Sequence, residues 1–253
     1  MPSTKDKIMI GGLVVGGVVA LGFAAWPAAI WMAVRNLEKP KYDVKKILDK
    51  RRLLVQGMYK SELREYAPYI IAEVEIPADD PKAREEGMKG ALSQGFRKVA
   101  NYIFGGNVPH APDADGKEKI AMTTPVRLET TAAPAKDGDK IAMTAPVRAE
   151  PMEGGSYKVS FTMPSKYSHE TLPAPKDDAV KLRTVPPMTV ASIAFSGASP
   201  REEKMSQVEA ELRDIMARNG VRAKVGAQPM LYQYHPPFSP GWMRLNEVLL
   251  EVE

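Results

Sequence analysis

The longest uninterrupted apolar stretch of the chain lies near its N-terminus. Residues 8–34 contain no charged side chain over 27 positions, enough at about 1.5 Å per residue to cross the roughly 30 Å hydrocarbon core of a bilayer. Trp26 and Trp31 lie towards its C-terminal end, where indole rings favour the membrane interface. The pattern predicts a transmembrane helix over residues 8–34, after a short tail at residues 1–7. A cleaved signal peptide is the alternative, although the stretch is longer than a typical signal core.

Basic residues on either side of this segment predict its orientation. Two lysines precede it, and eight lysines and arginines follow it within residues 35–52. The positive-inside bias then predicts a single-pass membrane protein whose C-terminal domain is cytosolic or stromal, with residues 35–52 as a basic juxtamembrane linker. This cluster also suits contact with anionic headgroups, but topology signalling alone accounts for it. Gly12 and Gly16 form a GxxxG pattern, which leaves a homo-oligomer or a membrane-protein partner open.

Beyond the linker, strand and helix patterns predict a domain over residues 53–253. Period-two alternation, typical of strands with one buried face, occurs in YIIAEVEI and SYKVSFTM, and MTVASIAF and VLLEV are further predicted strands. Apolar residues recur at helical spacing after Asp80-Pro81 and again after Ser199-Pro200. The second helix is predicted to begin with a capping box between Ser199 and Glu202. The order of elements predicts one α+β domain of two similar halves with two packed helices.

The sequence Ile-Ala-Met-Thr-x-Pro-Val occurs twice, at residues 120–126 and 141–147. Each copy alternates as an amphipathic strand, and the polar TTAAPAKDGD between them is typical of a loop. The simplest prediction is an antiparallel hairpin. Pro125 and Pro146 cannot donate to a β-ladder, which predicts edges or bulges at those points, beside which a pocket can open.

Composition excludes several classes of function. The chain has no cysteine, so thiolate zinc sites, iron–sulfur clusters and a Cys-ligated haem are excluded. A net charge of +4 over 253 residues gives no support for nucleic-acid binding. No nucleophile elbow, glycine-rich phosphate loop or zinc-protease motif is present, and the protein is not expected to be an enzyme. The three histidines, His110, His169 and His235, lack the close spacing of a metal cluster.

Several motifs, taken in order, resemble the SOUL haem-binding protein family. They are KIAMTTPV with IAMTAPV, GFRKVANYIFGGN at the end of the first helix, SFTMPSKY followed by LPAPKDDAVKLR, and the closing YQYHPPFSPGWMRLNEVLLEV. The match covers about residues 40–253. The resemblance implies a distorted β-barrel or open antiparallel sheet of two pseudo-repeated halves with two packed helices. It also implies binding of haem or a related tetrapyrrole.

A porphyrin requires a large apolar surface and cations for its two propionates. The first helix offers both, through the apolar residues Met88, Leu92, Phe96 and Tyr102 and the basic residues Lys89, Arg97 and Lys98. The competing interpretation is that this apolar stripe belongs to the core and that the basic residues form a solvated face.

His235 is the candidate axial ligand for a haem iron. It stands in YQYHPPF, where the resembling proteins more often carry Asn or Asp. The alternative is a turn residue ahead of Pro236-Pro237, whose rings favour an extended entry. Met122 and Met143 have less support as ligands, because a methionine on an alternating strand face is usually a core residue.

Three functions are compatible with the sequence. The first is a membrane-anchored tetrapyrrole binder that buffers, carries or delivers its ligand, with the bilayer as its partner through residues 8–34. The second is a non-enzymatic, membrane-tethered interaction module that uses the fold without a cofactor. The third, an enzyme acting on a ligand in the same groove, has the least support, because no catalytic constellation is visible.

Overall fold

The computed structural model describes residues 36–53, 57–109, 118–131, 156–236 and 239–253, together with residues 27, 29, 30, 32 and 34. The elements, in chain order, are β1 (Tyr42–Leu53), β2 (Gly57–Tyr66), β3 (Tyr69–Pro77), α1 (Pro81–Glu86), α2 (Met88–Ile103), β4 (Asn107–Val108), β5 (Val126–Thr131), β6 (Ser156–Thr162), β7 (Ala174–Pro175), β8 (Val180–Val185), β9 (Met188–Ser196), α3 (Glu202–Arg218), β10 (Met230–Gln233), a 3-10 turn (Gly241–Met243) and β11 (Leu245–Glu251).

Nine of these strands form one antiparallel sheet in the order β1-β2-β9-β11-β10-β5-β6-β3-β8. The end strands β1 and β8 do not pair with each other, so the sheet is open and not a closed barrel. Two halves of equivalent topology meet where β10 pairs with β5. One half consists of β3, the helices α1 and α2, β5 and β6, and the other consists of β9, α3, β10 and β11. In each half the last strand along the chain, β6 or β11, lies between the other two strands. The predicted α+β class and the open antiparallel sheet are confirmed.

The first predicted helix is divided in two. Asp80 caps α1 by accepting hydrogen bonds from the backbone N–H groups of Lys82 and Ala83. Gly87 then adopts a positive φ of 59°, a conformation that favours glycine, and α2 begins at the next residue. The described part of the domain predicted at residues 53–253 therefore has three α-helices, where the sequence predicted two.

Glu202 links the starts of α2 and α3. Its Oε1 accepts a hydrogen bond from the backbone N–H of Met88 at 2.7 Å, which caps the N-terminus of α2 from the other half of the molecule. The capping box predicted between Ser199 and Glu202 is wrong, because Arg201 is the N-cap of α3 and makes no side-chain hydrogen bond there.

The helices α2 and α3 cover one face of the sheet and enclose the larger apolar core. The predicted stripe of α3 is buried throughout, at Met205, Val208, Leu212, Ile215 and Met216. On α2 the predicted residues Met88, Leu92, Val99 and Ile103 are buried and Phe96 is half-buried. Gly95 lets α2 approach the sheet closely, since a Cβ atom at this position would lie 2.3 Å from the Val159 Cβ atom.

The folded domain begins earlier than predicted. Strand β1 pairs with β2 along its length, so most of the linker predicted at residues 35–52 is the edge strand of the sheet. Its alternation is obscured by charged residues and by two register shifts. Leu48 is the one buried side chain among those described in β1, which left little apolar signal in the sequence.

The predicted membrane span lies mostly outside the described residues, which begin at residue 27. The described positions 27, 29, 30, 32 and 34 are helical, but within the described part of the chain no helix has the length and apolarity needed to cross a membrane. Ile30 and Val34 are 6% and 7% exposed and form a small buried cluster with Met243. The end of the apolar segment therefore contacts the folded domain.

Only the last residue of the first copy of the repeated sequence lies in a strand. The second copy, residues 141–147, lies outside the described residues. In the first copy, β5 begins only at Val126, after a cis peptide bond between Thr124 and Pro125. The segment from Val126 to Glu129 pairs with β6 on one edge and with β10 on the other. The predicted hairpin stays a prediction, because its second strand lies outside the described residues.

Candidate functional site

Three residues predicted to contact a porphyrin lie in the core. Met88, Leu92 and Tyr102 are 4%, 6% and 1% exposed. The Tyr102 hydroxyl donates a hydrogen bond to the carbonyl of Pro173 at 2.9 Å, which ties α2 to the loop before β7. Phe96 is half-buried, with its ring centroid 5.3 Å from that of Phe161. These side chains hold α2 on the sheet. The interpretation of the apolar stripe as part of the core therefore applies to them, and not the interpretation as an exposed porphyrin-binding surface.

The accessible face of α2 is polar and ends in apolar residues. Exposed residues recur on it at a spacing of four, at Lys89, Ser93, Arg97 and Asn101. Phe104 follows three positions later and is 54% exposed, and Val108 in β4 is exposed to the same extent. Arg97, Phe104 and Val108 are named here the α2-end surface. This surface combines two large apolar side chains with a cation on the same helix face as Phe104.

Hydrogen bonds hold the loop that presents this surface. The buried Asn107 side chain donates from Nδ2 to the carbonyls of Tyr102 and Glu118, both at 2.9 Å. Strand β4 pairs with β7, and the backbone N–H of Lys176 donates to the Gly106 carbonyl at 3.1 Å. These hydrogen bonds therefore join the end of α2 to the loop around β7 and hold the two segments together.

His235 lies elsewhere, in the turn after β10. Strand β5 separates β10 from β6, and α2 contacts β6. The Nδ1 atom of His235 accepts a hydrogen bond from the backbone N–H of Leu245 at 3.1 Å. Burial lowers the pKa of His235, and the positive charges of Arg244 and Lys39 lower it further. The neutral ring is therefore favoured.

The hydrogen bond to Nδ1 bears on iron ligation by His235. Since Nδ1 accepts, the proton of the neutral ring is on Nε2. A histidine that binds a metal through Nε2 ordinarily carries its proton on Nδ1 and donates it to a neighbouring acceptor. Ligation of iron through Nε2 would require the ring proton to move from Nε2 to Nδ1. The hydrogen bond from the Leu245 N–H to Nδ1 would then break. His235 and the α2 residues thus do not converge on one site, and its role as an axial ligand stays a prediction.

Other features of the described chain also lack the form of an enclosed haem pocket. His110 lies outside the described residues, while the exposed His169 ring lies 2.7 Å from the Thr184 hydroxyl. Within the described ranges, no group of three or more His, Asp or Glu residues could hold a metal ion. Two surface cavities of about 350 and 240 Å³ are lined by charged and apolar groups together, with Lys158 in both.

The sheet face opposite the helices carries a second, largely buried cluster that the sequence did not reveal. It is named the tyrosine cluster and consists of Arg64, Glu247 and the tyrosines at positions 42, 59, 66, 69, 232 and 234. Apolar residues such as Ile71 and Leu249 surround it. Neighbouring residues in the same strands belong to the helix-covered core, as expected from alternation across a sheet.

A buried ion pair lies in the tyrosine cluster. The two Arg64 terminal nitrogens donate to the two Glu247 carboxylate oxygens at 3.0 and 2.8 Å, and the side chains are 2% and 0% exposed. The hydroxyls of Tyr59 and Tyr234 also donate to Glu247. The Tyr42 ring covers the guanidinium at 4.5 Å, a cation–π distance.

The electrostatics of Glu247 follow from these contacts. Burial by itself would raise the pKa of Glu247, but the Arg64 charge and the hydrogen bonds from Arg64, Tyr234 and Tyr59 outweigh it and hold the pKa below its usual value. Burial, with Glu247 nearby, raises the pKa of Tyr59 and Tyr234. Glu247 is thus ionised and fully paired, and Arg64 occupies the place that an external cation would need. The tyrosine cluster is a structural centre.

Comparison with known proteins identifies the family. The family model described as SOUL heme-binding protein matches residues 37–251, which is most of the chain and includes both halves of the sheet. The chain belongs to the SOUL heme-binding protein family. Heme-binding protein 1 of Bos taurus is 27% identical over 163 residues, covering 63% of this chain and 70% of the bovine protein.

Solved structures show weaker similarity to this SOUL family member. An uncharacterized conserved protein from Listeria innocua is 12% identical, covering 83% of this chain and 94% of its own, with a TM-score of 0.49. A hydrolase from Listeria innocua is also 12% identical, covering 85% and 92%, with a TM-score of 0.44. At these scores neither structure informs the function of the SOUL protein described here.

Proposed function

We propose that this protein binds haem or a related tetrapyrrole and buffers, carries or delivers it while anchored to a membrane. The family match over residues 37–251 carries the tetrapyrrole part of the proposal, and the bovine relative is named Heme-binding protein 1. Reversible binding without turnover is proposed, because the sequence motifs of nucleophilic, phosphoryl-transfer and zinc-protease enzymes do not occur in the chain.

The α2-end surface is the proposed place of contact. Phe104 and Val108 are large, apolar and 54% exposed, and such side chains can pack on the flat porphyrin ring. Arg97 is exposed on the same helix face and can pair with a propionate. Because this surface is open, most of one ring face would stay in contact with solvent or a second protein. An open site suits transfer of the ligand better than permanent retention.

The anchor is proposed to be the N-terminal apolar segment. Ile30 and Val34 are buried against Met243, so the part left to span the bilayer is residues 8–29. These 22 uncharged residues still suffice, since about 20 are needed. The basic residues after them favour a cytosolic or stromal position for the domain. Digestion with protease in sealed vesicles of known sidedness tests this, because protection of the domain from protease on the cytosolic or stromal side would contradict the proposal.

A hemin titration of the full chain in lipid nanodiscs tests the tetrapyrrole proposal. The full chain is required, because a fragment from residue 53 lacks β1, whose Tyr42 covers the buried Arg64. We expect a saturable, stoichiometric change in the Soret band beyond that of empty nanodiscs. Phe104→Asp should weaken binding at least about tenfold, since a charge replaces an apolar contact. Val225→Asp is the matched control, since Val225 is 91% exposed on another loop.

Three outcomes have different meanings. Weak, nonsaturable association of the wild-type chain would contradict tetrapyrrole binding and favour the interaction module. Equal losses in Phe104→Asp and Val225→Asp would exclude the α2-end surface as a specific site. A Soret change abolished only by His235→Ala would instead assign axial ligation to His235, with loss of the hydrogen bond from Leu245.

A further inference from the structure

We propose that the Gly241–Met243 turn is a second point of membrane contact, at which Trp242 inserts into the lipid interface beside the exit of the N-terminal segment. This inference rests on the proposed membrane anchor and is independent of tetrapyrrole binding. The Trp242 side chain is large and mostly apolar, yet it is 53% exposed.

The position of the turn relative to the N-terminal segment is fixed by side-chain packing. Met243 is 3% exposed and lies in one buried cluster with Ile30 and Val34. Ile30 and Val34 are four residues apart and so lie on one helix face. Trp242 is the direct neighbour of Met243 in the chain. The Gly241–Met243 turn therefore lies beside the helical residues around Ile30 and Val34. The residues that precede them in the chain are the ones proposed to span the bilayer.

A lipid surface suits this location better than a protein partner. The residues that contact Met243 are preceded in the chain by the uncharged residues 8–29, which are proposed to span the bilayer, so the bilayer surface is expected at this end of the domain. Met32 is 57% exposed and lies on the side of the helix away from Ile30 and Val34. It adds exposed apolar area close to the Gly241–Met243 turn. Tryptophan is enriched at membrane interfaces, because its ring is apolar and its indole N–H remains close to water.

Depth-dependent quenching of Trp242 fluorescence tests the proposal. The chain has three tryptophans, Trp26, Trp31 and Trp242, so Trp26→Phe with Trp31→Phe leaves Trp242 as the single reporter. The protein is placed in nanodiscs containing lipids brominated at shallow or deep acyl positions. We expect blue-shifted emission and at least about twofold stronger quenching by the shallow label than by the deep one, as for an interfacial indole.

A matched control locates the effect at this turn. Val225→Trp, combined with Phe at all three native tryptophan positions, places a reporter on a loop where the native side chain is 91% exposed. This reporter should be insensitive to both lipid labels and open to aqueous iodide. Equal behaviour of Trp242 and the control reporter would overturn the proposal.

Alkaline extraction of the same samples distinguishes failure of the Trp242 contact from failure of the proposed membrane anchor. A chain that remains in the bilayer while Trp242 is quenched only by aqueous iodide would contradict the Trp242 contact and leave the anchor standing. A chain released by alkaline carbonate would overturn both. Haem titration of the control variant, which carries Phe at position 242, is expected to match the wild type, since Trp242 lies outside the α2-end surface.

Discussion

On the helix-covered face of the sheet, Val159, Ile193 and Leu212 are completely buried and contain no polar side-chain atoms. On the other face, Arg64 and Glu247 are buried as deeply and carry full charges. The first face is stabilised by removal of apolar area from water, to which pH contributes little. The second depends on each charged or polar group keeping its partners, because an unpaired buried charge is costly. The two faces should therefore respond differently to substitution and to pH.

The largest expected effect comes from leaving Glu247 unpaired. Arg64→Met keeps much of the side-chain volume but removes the cation, and we expect a loss of about 3–5 kcal/mol in the free energy of unfolding at neutral pH. Without Arg64, burial raises the pKa of Glu247 in the folded state, so the loss should grow as pH rises from about 5 to about 8. Chemical denaturation across this range measures it. Adding Glu247→Leu to Arg64→Met should recover part of the stability, and a fully additive double variant would contradict the ion-pair explanation.

A truncation of the helix-covered core should be comparable in size but independent of pH. Leu212→Ala on α3 removes a side chain that is 0% exposed, and the transfer and cavity contributions together cost about 3 kcal/mol. No titrating group is lost, so the difference from the wild type should stay constant from about pH 5 to about pH 8. A pH dependence like that of Arg64→Met would refute the distinction between the two faces.

A smaller effect is expected from one hydroxyl of the tyrosine cluster. Tyr234→Phe removes a donor to the Glu247 carboxylate and should cost about 1.5–2 kcal/mol, as for a buried hydrogen bond to a charged group. The hydrogen bond helps to lower the pKa of Glu247, so its contribution is present above the unfolded-state value of 4.5 and is lost as pH falls through the folded value. Urea denaturation at neutral and acidic pH tests this. Tyr167→Phe, at a half-buried tyrosine outside the cluster, is the control and should change stability by less.

The smallest expected effect is at His235. Its pKa is lowered in the folded state by burial, with smaller contributions from Arg244 and Lys39, so the unfolded chain binds a proton more readily. Wild-type stability should fall as pH drops below the unfolded-state value of 6.5, and His235→Asn should remove this decrease. The difference is expected to be below about 1 kcal/mol. Thermal denaturation between about pH 5 and about pH 7.5 measures it, and an unchanged slope in the variant would show that other groups cause the decrease.

The helix-covered face could be predicted because its apolar residues recur at regular intervals. Ala72, Val74 and Ile76 alternate in β3, and Leu212 and Met216 repeat along α3, so local periodicity specifies which side is buried. The same regularity explains why Met88 and Leu92 were considered as ligand contacts. An apolar helix stripe that packs on a sheet has the same pattern as one that binds a porphyrin.

The tyrosine cluster could not be predicted in the same way. Arg64 and Glu247 are 183 positions apart, and a charged residue in an alternating strand ordinarily indicates a solvent-facing position. Their pairing depends on strand order, which one sequence does not specify. One local signal was present: in MLYQY, Leu231 and Tyr232 are consecutive, and apolar residues on both sides of a strand indicate burial of both faces.

The placement of β11 constrains the order in which the molecule can be completed. This strand contains nearly the last residues of the chain, yet it lies in the interior of the sheet, hydrogen-bonded to β9 and β10. It also carries Glu247, the partner of Arg64. Until β11 is in place, β9 has one unpaired edge, and Arg64 pairs with Glu62 but lacks the buried partner Glu247. The sheet can therefore be completed only after β11 has been synthesised, and loss of residues 245–253 alone would leave it without a central strand.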